Sequence, residues 1–124
     1  MKEIRAAVDA FWLDLKKGCN NLIDCAQLQE QREKKSPLYL LDIRKPEDYA
    51  EDHIEGAVNI PWADVGDVLD ELPKDKKIIV ICYSGQTAGQ TVALLKLLGF
   101  DCCSLKGGMS CDAVHLPLVS SCSS

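Results

Sequence analysis

The sequence predicts an α/β fold on a parallel sheet, and three observations carry that reading. The runs LYLLDI (38–43) and IIVI (78–81) are apolar almost throughout rather than alternating, as in strands covered on both faces. Segments with helical spacing lie between the strand-like runs, the pattern of successive β-α units. A chain of 124 residues with 47% hydrophobic content is one domain whose core needs neither disulfide nor metal.

The elements follow in order. Residues 3–17 set Ile4, Ala7, Val8, Phe11, Trp12 and Leu15 at helical spacing, an amphipathic helix stopped near Gly18. Adjacent Phe11 and Trp12 cannot both face one narrow stripe, so one of them is partly exposed. Asp24 is placed to cap a second helix, 25–35, which ends before Ser36-Pro37. Leu38–Ile43 is a strand, Pro46 opens a helical turn over 46–53, and 56–60 is a brief strand ended by Pro61. A helix is expected over 64–72, with Val65, Val68, Leu69 and Leu72 on one face. After the polar turn 74–77 comes the strand at 78, then a helix over 87–98 with Val92, Leu94, Leu95 and Leu98 as its core side. A last strand, 101–105, leads into Gly107-Gly108, and the tail 120–124 is read as frayed.

Composition excludes several classes. The net charge is −5, and the arginines are Arg5, Arg32 and Arg44 alone, so there is no basic block for nucleic acid or an anionic membrane. No apolar run approaches the roughly 18 residues of a membrane span. Glu3, Asp9 and Asp14 interrupt any signal-peptide core, which points to the cytoplasm. The 7 cysteines (Cys19, Cys25, Cys82, Cys102, Cys103, Cys111, Cys122) form no C-x-x-C pair, and His53 and His115 lie far apart, so no zinc site is expected. All but Cys82 are read as small buried hydrophobes. Of the adjacent Cys102 and Cys103, which point to opposite faces, one is expected in the core and one at the surface.

Cys82 ends a buried strand just where a helix begins. A thiol reacts as thiolate, and a helix N-terminus or a nest of backbone N–H groups favours that form. Gly85 lets the loop 83–88 curl around the sulfur, so that its N–H groups point at whatever Cys82 carries, with Ser84 or Thr87 adding a hydroxyl. An ordinary strand–helix turn with a buried cysteine would read much the same from these residues alone.

Four stretches in register resemble the single-domain rhodanese family of sulfurtransferases: LYLLDIRKPEDYAEDHIEGAVNIP (38–61), IIVICYSGQTA (78–88), the helix end LGF (98–100) and SLKGGM (104–109). The resemblance spans about residues 22–119, with the domain taken as 21–119 and residues 1–20 as a helical extension. It implies a central, mostly parallel sheet of about five strands flanked by helices. It implies that Cys82 takes sulfane sulfur from a donor (thiosulfate, a persulfide or mercaptopyruvate) as a persulfide. Cys82 then passes the sulfur to a thiol, cyanide or protein acceptor in ping-pong fashion. Tyr83, Ser84, Gly85, Gln86, Thr87 and Ala88 would cradle that sulfur, and no metal or organic cofactor is implied. Tyr83 and Ser84 stand where the family often has arginine or lysine for thiosulfate, so thiosulfate should bind weakly and a persulfide or polysulfide react better. The related Cys-x5-Arg phosphatases would need arginine at Ala88, which disfavours that activity. The alternative is a rhodanese-fold interaction or redox-sensing module with little turnover.

The remaining residues read as support. Asp42 and Arg44 are architectural, the aspartate holding backbone groups near the loop and the arginine pairing with a carboxylate. His53 is a hydrogen-bonding turn residue, Glu47 and Asp48 a solvated helix face, and Trp62 a gap filler. Cys111 is a candidate resolving cysteine, though a plain turn residue is the simpler reading. Asp112 replaces the family's usual tryptophan.

Overall fold

The computed structural model describes residues 2–110 and 118–120. In chain order it runs α1 (Lys2–Lys16), β1 (Leu22–Ile23), α2 (Cys25–Glu33), β2 (Leu38–Asp42), α3 (Pro46–Glu51), β3 (His53–Ile54) and β4 (Val58–Asn59). A 3-10 segment (Trp62–Glu71) follows, then β5 (Lys77–Ile81), α4 (Gln86–Leu97), β6 (Cys102–Leu105), a short 3-10 turn (Gly108–Ser110) and β7 (Leu118–Val119). Five strands form one parallel sheet in the order β1-β6-β5-β2-β4. β3 and β7 form a separate antiparallel ladder.

The central strands are apolar throughout because both their faces are covered. Along β5, Ile79 and Ile81 join the layer closed by Leu28 of α2, Ile54 and Ala57. Ile78, Val80 and the following Cys82 join the opposite layer, closed by Val92 and Leu95 of α4 with Val65 and Leu72 from the 3-10 region. Asp24 caps α2 as its position suggests. Its carboxylate accepts from Gln27 N at 2.7 Å and Gln27 Oε1 accepts from Asp24 N at 2.9 Å, a reciprocal box. Such a cap contributes about 1 kcal/mol.

Several expectations are corrected. The helix expected over 64–72 is a 3-10 segment interrupted at Val68 (φ −124°, ψ 23°). Gly66 and three aspartates leave it too weak in helix formers to hold α-geometry. In α4 the sheet takes Ala88, Thr91, Val92 and Leu95, a regular i, i+3, i+4, i+7 stripe, while Leu94 is 62% and Leu98 53% exposed. Those two leucines border a groove of about 600 Å³ with Ile4 and Ala7 of α1. Trp62 fills no gap: it is 47% exposed on the same groove. Cys102 and Cys103 are both buried, because β6 lies between β1 and β5 and is covered on each side. The two-residue β1, too short to show in the sequence, is what makes β6 interior. Cys19 is exposed, not buried. Trp12 is exposed while Phe11 is partly buried, which separates the adjacent aromatic pair of α1 as its spacing requires. Cys111 and Asp112 lie outside the described residues, as do His115 and Cys122. No described helix is long and apolar enough to cross a membrane.

Candidate active site

Cys82 follows β5 at the carboxyl edge of the parallel sheet, where such folds bind ligands. The chain then leaves the sheet through Tyr83 and Ser84 and turns at Gly85, whose φ of 100° a larger residue avoids. That turn points two backbone donors back at the sulfur. Gly85 N–H donates to Cys82 Sγ at 2.9 Å and Ala88 N–H at 3.4 Å. Gly85 caps α4, so the sulfur sits at the positive end of a 12-residue helix. The donors are backbone only: among the described residues, neither Ser84 nor Thr87 gives its hydroxyl to the sulfur. Gln86 is exposed, and Thr87 uses its carbonyl to accept from Thr91 Oγ1 at 2.9 Å.

The loop is fixed from below by the turn after β6. Met109 N–H donates to the Cys82 carbonyl at 2.8 Å. A Cβ on Gly108 would meet Cys82 O at 2.3 Å and Tyr83 C at 2.8 Å, both backbone atoms that cannot swing aside. Gly108 is therefore part of the site's frame.

Beside the loop, Asp42 and Arg44 form a buried bidentate pair. Arg44 Nε lies 3.0 and 3.2 Å from the two carboxylate oxygens and Nη2 lies 2.9 Å from Oδ2. Arg44 N–H adds a 3.0 Å bond to Asp42 Oδ1, and Nη2 also donates to the Asp52 carbonyl at 2.7 Å. Burial pulls the guanidinium pKa down, but the bonds and charge of Asp42 outweigh it and hold it above its usual value. Asn59, unmarked in the sequence, ties the strand end together by donating to the carbonyls of Asp42 and Arg44 at 2.9 and 3.0 Å. The hydrogen bonds of Asp42 go to Arg44, Asn59 and Ile60 rather than to the loop. The link runs through Arg44, whose guanidinium carbon is 6.0 Å from the Tyr83 ring centre.

Tyr83 is also held by its hydroxyl, which donates to Asp48 Oδ2 and accepts from Lys45 N–H at 3.2 Å. Asp48 is thus more than a solvated helix face. Burial and the Asp48 hydrogen bond push the Tyr83 phenol pKa up. His53 stays structural: its ring stacks on Tyr49 at 3.7 Å and Nδ1 donates to the Tyr49 carbonyl at 2.8 Å. Elsewhere, burial pushes the Cys102 thiol up to about 12, and its Sγ donates to the Val92 carbonyl at 3.6 Å.

The sulfurtransferase-named YtwF of Bacillus subtilis is 37% identical over 87 residues, covering 70% of this chain and 84% of its own. A protein named sulfurtransferase from Allochromatium vinosum is 32% identical over 101 residues, covering 80% and 94%. The crystal structure of a rhodanese-related protein from Thermoplasma volcanium superposes with a TM-score of 0.72 at 29% identity, covering 80% of this chain and 97% of that one. The family described as Rhodanese-like domain matches residues 12–111, and the chain belongs to it.

Proposed function

We propose that the protein is a persulfide-forming sulfurtransferase with Cys82 as its sulfur carrier. The observation that carries this reading is the convergence of Gly85 N–H and Ala88 N–H on Cys82 Sγ. These donors favour a charged sulfur, and they can follow the charge when it moves to a bound second sulfur. In the first half-reaction the Cys82 thiolate attacks the sulfane sulfur of a donor. The donor's S–S bond breaks and the leaving group departs with the electron pair, as sulfite from thiosulfate or as a thiolate from a persulfide. In the second, a thiol, cyanide or protein nucleophile attacks the outer sulfur and Cys82 leaves as thiolate. Among the relatives, PspE of Escherichia coli, 32% identical over 71 residues, is named a thiosulfate sulfurtransferase. YrkF of Bacillus subtilis, 36% identical over 63 residues, is named a sulfur carrier protein.

The catalytic unit is taken as 21–119, with α1 as an added helix. Cys19, Cys82, Cys102 and Cys103 are free thiols, which suits a reducing compartment, and we place the protein in the cytoplasm. The test is intact mass after incubation with thiosulfate, mercaptopyruvate or an organic persulfide. A gain of one sulfur that reductant removes and Cys82→Ser abolishes is expected. No gain with any donor on folded protein would favour an interaction module instead.

A further inference from the structure

The sequence gives Asp48 no role beyond the solvent face of α3, yet its carboxylate is bound by the side chain that follows the nucleophile. The Tyr83 phenol spans from the end of β5 to α3, accepting from Lys45 N–H at 3.2 Å and donating to Asp48. Tyr83 is 45% exposed and Asp48 partly exposed, whereas Cys82 itself is 2% exposed. Arg44, whose guanidinium carbon is 6.0 Å from the Tyr83 ring centre, is already engaged by Asp42 at 2.9 Å and faces Asp52 at 3.9 Å. The flank of the loop therefore presents an anchored negative charge. Lys45 is exposed, and it is its backbone, not its ammonium, that meets the phenol.

We propose that Asp48 is a specificity-determining residue, held beside the Cys82 loop by Tyr83, that selects against dianionic sulfur donors such as thiosulfate and in favour of persulfides of uncharged thiols. This rests on the sulfur-transfer reading of Cys82 and names its substrate class. Repulsion of a dianion by one carboxylate a tyrosine's length away, through water, is worth about fivefold. A donor with at most one charge feels at most half of that repulsion energy.

The experiment compares sulfur loading of Cys82 by thiosulfate and by mercaptoethanol persulfide, in wild type, Asp48→Asn and Tyr83→Phe. Asparagine keeps an oxygen to accept from the phenol and removes only the charge. Phenylalanine keeps the ring beside Arg44 and frees the carboxylate. Asp48→Asn is expected to raise kcat/KM for thiosulfate about fivefold, mostly through KM, and to leave the persulfide within about twofold. The gain should shrink in 0.5 M salt, where charges are screened within a few ångströms. Tyr83→Phe should move the same ratio in the same direction by less. An unchanged donor ratio in Asp48→Asn, or an equal change for both donors, would overturn the proposal while leaving Cys82 as carrier. Failure of both donors to load wild-type Cys82 would overturn the sulfur-transfer reading and this proposal with it.

Discussion

Cys82, just past the end of β5, and Cys102, at the start of the neighbouring β6, face the same core layer and are buried alike, at 2% and 1% exposed. Their surroundings are opposite in sign. Cys82 Sγ receives two backbone N–H groups at 2.9 and 3.4 Å, whereas Cys102 Sγ donates to a carbonyl at 3.6 Å and burial pushes its pKa up to about 12. Equal burial thus comes with different polar groups aimed at the sulfur, and that difference follows from where one strand ends and the other begins. Cys82 lies past the end of β5, where the chain turns back on itself. Cys102 lies at the start of β6, under the body of α4.

The sharpest way to break this contrast is to exchange the two thiols for inert groups. Cys82→Ser is expected to lower sulfur loading by about a thousandfold or more, as loss of a covalent nucleophile does. Cys102→Ala should keep it within about twofold. Mass spectrometry of the loaded chains would read both, and equal losses would sink the comparison.

The frame around Cys82 comes next. Arg44→Leu leaves the Asp42 carboxylate buried without its partner, and denaturant unfolding should show a loss of about 3–5 kcal/mol. Gly108→Ala forces a methyl into the carbonyl of Cys82. Overpacking of this kind costs about 1–3 kcal/mol, and loading should fall with it as the loop shifts. Gly89→Ala is the matched control. It meets nothing within 4 Å on the exposed side of α4 and should stabilise the fold by about 0.5–1 kcal/mol with loading unchanged.

The smallest effect is one of pH. The folded-state pKa of Cys102 lies above the unfolded value of about 8.5, so the folded chain keeps this proton after the unfolded chain has lost it. Its contribution to stability is fully present below the unfolded pKa. It is lost as pH rises from there toward about 12. Urea titrations at pH 7, 9 and 10 should show a steeper alkaline decline in wild type than in Cys102→Ala. Parallel curves would mean that the thiol is not held protonated by the fold.

Much of this was legible in the chain. The continuous apolar runs at 38–43 and 78–81 announced a two-sided parallel sheet, and cysteine at a strand end before a glycine loop marked the candidate site. What escaped reading depends on contacts distant in sequence. Cys103 is covered by the layer of Leu28 from α2 and Cys102 by that of Val92 and Leu95 from α4, so the burial of both depends on helices far from 102–103 in sequence. Leu94 and Leu98 have the spacing of a core stripe, but the sheet takes the stripe through Val92 and Leu95 instead. Asp48 looks like any acid on a short helix until Tyr83, 35 residues later, reaches across to it.

The most direct test is site-resolved: load the native protein with an organic persulfide, trap the persulfides by alkylation, and map them by peptide mass. Sulfur confined to the peptide bearing Cys82, with Cys102 and Cys103 unmodified and the exposed Cys19 carrying at most a minor share, is the predicted result. Sulfur distributed among the cysteines by exposure, with Cys19 foremost and Cys82 empty, would contradict the claim that the backbone N–H cradle makes Cys82 the carrier.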